Sequence, residues 1–139
     1  MANDLLDNSM RETELGPLPS KWDIITLGQA TVFLQYGTSE RCHEEATGSP
    51  VLRIPNVIGG SINPCDLKYA DLEKGEKAKY GLGRGELLFV RTNGQKQNIG
   101  RCAAYNGVPS GALFASYLIR ARVKPDVADY SFVEFYSSS

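Results

Sequence analysis

The chain is poor in the residues that most often carry chemistry, with one histidine and three cysteines. Cys42, Cys65 and Cys102 cannot all pair within one chain, and no Cys-x-x-Cys unit occurs. That argues against a zinc ribbon or a thioredoxin-like redox site, and for reduced thiols that pack. The longest purely aliphatic or aromatic run is Leu87-Leu88-Phe89-Val90, far too short to span a bilayer. The N-terminus carries Asp4 and Asp7 where a secretory signal needs basic residues and a long apolar stretch. A cytoplasmic protein with no membrane span is therefore expected. The net charge of -1 also speaks against indiscriminate binding of nucleic acid through bulk positive charge.

Catalytic signatures are equally scarce. His43 stands in Cys42-His43-Glu44-Glu45, but adjacent residues rarely converge on one ion and no second cluster supplies further ligands. A hydrolase would have to use that same histidine, and Gly-x-Ser-x-Gly is absent. Gly81, Gly83 and Gly85 precede a strand rather than joining a strand to a helix, and no Gly-Lys-Ser/Thr follows. They read as a flexible turn. Asn63-Pro64-Cys65-Asp66 lacks the second proline and the aromatic residue of an adenine methyltransferase motif. No catalytic residue, cofactor or metal site is expected.

What is present is an ordinary globular composition, 42% hydrophobic and 22% charged over 139 residues. One domain is the natural reading, with residues 1–20 as an N-terminal arm and 21–139 as the domain proper. Gly16-Pro17-Leu18-Pro19-Ser20 reads as an extended segment. Strands are expected over 22–27, over 51–55 at a sheet edge, over 86–91 buried on both faces, over 98–105 and over 113–123. Residues 29–34 fit neither helix nor strand period cleanly. The charged stretch 67–79 reads as an exposed helix, with Asp71 near Lys74 and Glu73 near Lys77, and a further helix is expected over 126–135. Asn93-Gly94 is a tight-turn pair that should close a hairpin between 86–91 and 98–105. Together these elements predict an α+β fold, a twisted and mainly antiparallel sheet with a few short flanking helices.

Charge is unevenly divided along the chain. Residues 1–83 hold 8 basic and 12 acidic side chains. Residues 84–124 hold Arg84, Arg91, Lys96, Arg101, Arg120, Arg122 and Lys124 against Glu86 alone. Such a block on strands and turns suits a phosphate-facing surface, or equally several solvated faces with no common target. Within it, Arg91-Thr92-Asn93-Gly94-Gln95-Lys96-Gln97-Asn98 combines side chains suited to base edges and phosphates. Turns also favour these residues for conformational reasons alone.

An ordered set of motifs then points to one family. Leu18-Pro19-Ser20-Lys21-Trp22, Leu27-Gly28, and Tyr36-Gly37-Thr38-Ser39 come first. Val51-Leu52-Arg53-Ile54-Pro55-Asn56-Val57 with Gly60, and Asp66-Leu67-Lys68-Tyr69, come next. Tyr80-Gly81-Leu82-Gly83-Arg84-Gly85-Glu86-Leu87-Leu88-Phe89-Val90-Arg91-Thr92-Asn93-Gly94 follows. Ile99-Gly100-Arg101 and Phe114-Ala115-Ser116-Tyr117-Leu118-Ile119-Arg120 close the series. The set resembles a target recognition domain of the specificity (S) subunits of type I restriction–modification systems, over roughly residues 15–136.

The resemblance implies a non-catalytic module that reads one half of a bipartite target in double-stranded DNA. Partner methyltransferase (M) and restriction (R) subunits then modify, or translocate and cleave. It implies a twisted, largely antiparallel sheet with flanking helices, and DNA contacts from loops on one face. Carried over, the contacts fall on Tyr36, Gly37, Thr38 and Ser39, and on the hairpin residues Arg91, Thr92, Asn93, Lys96 and Gln97. Arg53, Arg101 and Ser116 stand behind them. In the family a long spacer helix follows each recognition domain, whereas this sequence stops at Ser139. That suggests a fragment or a truncated subunit, with weak DNA binding in isolation. A different reading is a non-catalytic interaction domain that self-associates, or pairs with another specificity subunit, through an exposed sheet edge.

Overall fold

The computed structural model describes residues 9–138. Strands β1 (Met10–Thr13) and β2 (Gly16–Pro19) form an antiparallel hairpin that joins no other sheet. Gly16 takes φ +94°, a left-handed angle that lets the chain reverse after Leu15. The extended segment expected at 16–20 is thus β2, paired with β1. Residues 1–8 of the expected arm lie outside the described residues.

The strand expected over 22–27 does not form. Trp22, Ile25 and Leu27 are exposed, and Thr26 instead caps α1 (Leu27–Ala30). The Gln29 N–H donates to Thr26 Oγ1 at 3.1 Å, and the Thr26 N–H donates to Gln29 Oε1 at 2.7 Å. This reciprocal capping box outweighs the β preference of Ile24 and Ile25. Helix α1 passes directly into β3 (Thr31–Tyr36), so the ambiguous stretch 29–34 is part helix and part strand.

Strand β4 (Ser49–Leu52) leads into a 3-10 turn at Ile54–Asn56, then β5 (Val57–Ile58), β6 (Ser61–Ile62) and β7 (Lys68–Ala70). Strand β4 was expected at an edge but is central, flanked by β7 and by β10 (Leu113–Phe114). Pro50 is tolerated there, opposite Tyr69. The helix expected over 67–79 is confined to α2 (Lys74–Tyr80), because residues 68–70 pair with β4 and Tyr69 also bridges His43. Long-range pairing has overridden the helical charge spacing.

Strands β8 (Leu87–Val90) and β9 (Cys102–Ala104) are antiparallel neighbours, with Leu87 opposite Ala104 and Phe89 opposite Cys102. Their connection is not a tight Asn-Gly turn. Residues 91–101 form a longer loop with a 3-10 turn at Lys96–Asn98, so β9 begins later than expected. The strand expected over 113–123 is two strands, β10 and β11 (Leu118–Val123), broken by a turn at Ser116-Tyr117. Helix α3 (Tyr130–Ser137) begins later than 126, where Asp129 Oδ1 accepts the Ser131 N–H at 2.8 Å.

The architecture is α+β and mainly antiparallel, as expected, with three short helices among the described residues. Among those residues the strands are divided among four small sheets rather than one. The largest is β3-β11-β8-β9, antiparallel throughout, while β10 runs parallel to β4. Strand β8 is buried on both faces, as its unbroken apolar sequence predicts. Leu88 and Val90 pack with Leu52, Tyr105, Phe114 and Leu118. Leu87 packs on the other side with Cys102, Ala121, Val123 and Val133 of α3. Each such buried Leu or Val contributes roughly 1.5–3 kcal/mol. Among the described residues, no helix is long and apolar enough to cross a membrane.

Candidate nucleic-acid interface

The strand ends that leave this core converge on one surface. Strand β3 ends at Tyr36, and Gly37 then passes against the backbone carbonyls of Phe114 and Ala115, where a Cβ would collide. The Thr38 N–H donates to the Phe114 carbonyl at 2.9 Å, and the Ser116 N–H donates to the Thr38 carbonyl at 2.8 Å. The loop after β3 is thereby stitched to the turn between β10 and β11. That turn is tied in turn to β4, since the Ala115 N–H donates to the Leu52 carbonyl at 2.9 Å.

Arg53 leaves the end of β4 and donates from Nη2 to the Asp66 carbonyl at 2.8 Å. Its backbone is held by Asn56, a fully buried side chain. Asn56 Oδ1 accepts the Arg53 N–H at 2.9 Å, while Nδ2 donates to the Asn63 and Cys65 carbonyls at 3.0 and 2.9 Å. The segment 63–66 is therefore a structural turn, with Asp66 at φ +52°.

Arg91 leaves the end of β8. Its N–H donates to the Tyr117 carbonyl at 3.0 Å, and Nη1 donates to the Ser116 carbonyl at 3.1 Å. Its guanidinium carbon lies 4.6 Å from the centroid of the Tyr36 ring. Asn93 Oδ1 accepts the Gln95 N–H at 2.9 Å, which shapes the loop tip.

These ends enclose two adjoining concavities. One, of about 510 Å³, is lined by Thr38, Ser39, Glu40, Arg53, Lys68, Ser116 and Tyr117 among others. The other, of about 440 Å³, is lined by Ile54, Pro55, Thr92, Asn93, Gly94 and Tyr117. They share Ile54, Pro55 and Tyr117. Of the residues singled out from sequence, Thr38, Ser39, Arg53, Thr92, Asn93 and Ser116 line them, and Tyr36 and Arg91 stack beside Ser116. Gly37 serves by its close backbone approach. Lys96, Gln97 and Arg101 line neither concavity and sit exposed farther along the 91–101 loop.

Sequence reasoning missed Tyr117 and Lys68. Tyr117 was assigned to a continuous strand, yet it is 57% exposed at the turn. Lys68 was assigned to a helix. The basic block is also less uniform than its sequence suggests, because Arg120 is buried and Arg122 pairs with Glu86.

The concavities join an apolar floor of Ile54, Pro55 and Tyr117 to the cations Arg53 and Lys68 and the carboxylate of Glu40. Burial pushes the Cys42 thiol up, against the pull of Arg53 and Lys68. His43 Nδ1 is 3.0 Å from the Glu45 carbonyl, and Nε2 is 3.4 Å from Asp71 Oδ2. Among the described residues, no group of three or more His, Cys, Asp or Glu is placed to hold a metal ion.

No family model matches the chain. It is 31% identical over 107 residues to the EcoKI specificity subunit of a type I restriction enzyme from Escherichia coli, covering 76% of this chain and 23% of that one. It is 27% identical over 117 residues to the putative MjaX specificity subunit of Methanocaldococcus jannaschii, covering 84% of this chain and 27% of that one. The chain thus spans about a quarter of the length of these curated relatives. Over most of its length, the chain is a homologue of the specificity subunits of type I restriction enzymes.

Proposed function

We propose that the chain is a target recognition domain that reads one half of a bipartite sequence in double-stranded DNA. It performs no catalysis itself and works in the cytoplasm for partner methyltransferase and restriction subunits. The observation that carries this reading is the convergence of the loop after β3, the ends of β4 and β8, and the Ser116-Tyr117 turn on one surface. That surface presents Arg53, Lys68 and Arg91 beside hydroxyl and amide groups, the mixture needed to hold phosphate and read bases. Tyr36, Gly37, Thr38, Ser39, Arg53, Arg91, Thr92, Asn93 and Ser116 form its centre. Lys96, Gln97 and Arg101 lie outward on the 91–101 loop, where they reach flanking phosphate or bases.

Selection from a randomised duplex library by the full chain tests the reading. The expected result is an enriched motif, with affinity that falls steeply as salt rises because counterions are released. Binding without base preference at every position would overturn it.

A specific observation also favours a second reading, self-association. Among the described residues β3 is an outer strand, and its Val32 and Leu34 are exposed. Sedimentation at rising salt separates the two, since apolar edge pairing survives salt that releases DNA.

A further inference from the structure

We infer that Arg91, held by Tyr36 and Ser116, is a guanine reader, with Tyr36 as its positioning residue; this rests on the DNA-reading function proposed above. Three separate strand ends fix this one side chain. The backbone of Arg91 is anchored to Tyr117, its Nη1 to the Ser116 carbonyl at 3.1 Å, and its guanidinium carbon lies over the Tyr36 ring, 4.6 Å from the centroid.

A phosphate contact asks little of orientation, and a mobile lysine serves it well. A fixed guanidinium plane suits an in-plane fork of acceptors. Among the bases, guanine alone presents two adjacent acceptors, O6 and N7, on its major-groove edge. Arginine carries five N–H groups, and the carbonyl of Ser116 occupies one, so a pair of parallel donors stays open. The Tyr36 ring lies against the guanidinium and steers partners to its edge. The hydroxyl of Tyr36 has no part in this arrangement; the ring does.

The other arginines near the site are differently employed. Arg120 is buried and spends its donors on Glu86, Gln35 and two carbonyls. Arg53, like Arg91, gives one Nη to a backbone carbonyl, that of Asp66, but it is half-buried rather than exposed. Arg91 therefore combines an outward position with a fixed orientation, which is what base reading requires.

The test compares duplex selection by the full chain with that by its Arg91→Ala, Tyr36→Phe and Tyr36→Ala variants. The wild type should enrich guanine at one position of its motif. Arg91→Ala should lower the guanine preference at that position about tenfold or more, while preferences at the other positions of the motif hold within about twofold. Tyr36→Phe should keep the preference, and Tyr36→Ala should weaken it at that position only. Placing 7-deazaguanine there, which removes N7, should weaken wild-type binding and leave Arg91→Ala unaffected. Thermal melts of the variants exclude unfolding as the cause. A guanine preference that survives Arg91→Ala, or an equal loss at all positions, overturns the inference while leaving DNA reading intact. Absence of any wild-type motif overturns both.

Discussion

Arg120 Nη1 lies 3.4 Å from Glu86 Oε1, and the two side chains are only 4% and 5% exposed. Arg122 Nη2 approaches the other carboxylate oxygen at 3.2 Å. Arg120 also donates to the Gly81 and Lys79 carbonyls at 2.6 and 2.9 Å, and to Gln35 Oε1. One guanidinium thus ties β11 to β3 and to the end of α2, between the rings of Phe33 and Phe114. Burial pulls Arg120 below the ordinary arginine range, Glu86 opposes that, and Arg122 adds to it.

Removing the Glu86 charge leaves Arg120 buried without its counter-ion. Glu86→Gln should cost about 3–5 kcal/mol, the penalty for breaking a buried pair. Arg122→Gln removes a partner whose side chain is 51% exposed, and should cost less than about 1 kcal/mol. Urea unfolding of both variants measures the contrast. Equal losses would mean that the network does not depend on burial.

Asn56→Ala should destabilise by about 2–4 kcal/mol. It strands the Arg53 N–H and the carbonyls of Asn63 and Cys65 in a part-buried site. Because Asn56 sets the Arg53 backbone, DNA affinity should fall even at temperatures where the variant stays folded. Circular dichroism melts alongside binding titrations separate the two effects.

Gly37→Ala would drive a methyl group into the Phe114 and Ala115 carbonyls, and the backbone must part to admit it. A loss of about 1–3 kcal/mol is expected, as for overpacking in a core. Tyr36 would shift with it, so loss of base preference should accompany the loss of stability. Gly59→Ala, which meets nothing within 4 Å and lies outside both concavities, is the matched control.

The three thiols should react in order of burial. Cys65 is exposed and should label first at pH 8, whereas Cys102 should label only after unfolding. Burial, and then the charge of Glu134, push the Cys102 thiol up to about 12 from 9.0. Its folded value lies above its unfolded one, so its contribution to stability is complete below about pH 9. That contribution is lost as pH climbs from 9 towards 12. Denaturation midpoints of the wild type should fall across this range, and less steeply in Cys102→Ala.

Several of these features could be read in the sequence and others could not. Leu87-Leu88-Phe89-Val90 announced its burial on both faces, since one face of a strand cannot use four consecutive apolar side chains. Thr26-Leu27-Gly28-Gln29 carries the spacing of a capping box, a legible signal that the β-branched residues before it obscured. The β7 segment was illegible because its partner, β4, lies far off in sequence while its charge spacing mimics a helix. Tyr117 escaped notice because alternation continues across the Ser116-Tyr117 turn. Lys68 was hidden by the same error as β7. Asn56 and Glu86 are ordinary polar letters until the fold buries them, and only long-range packing reveals what they hold.

The 91–101 loop carries a consequence for how such a surface changes over generations. Between Thr92 and Ile99 its hydrogen bonds are its own, among them Asn98 N–H to Gln95 and Ile99 N–H to Lys96, while at its ends Arg91 is tied to Tyr117 and both Gly100 and Arg101 to Val90. The register of the strands it joins is set elsewhere, by Leu87 against Ala104 and Phe89 against Cys102. Doubling a loop of this kind costs only about 0.6 kcal/mol in closure entropy. Substitutions and insertions between Thr92 and Ile99 can therefore accumulate while the strands beneath keep their pairing, so a lineage can acquire a new outer surface without refounding its core.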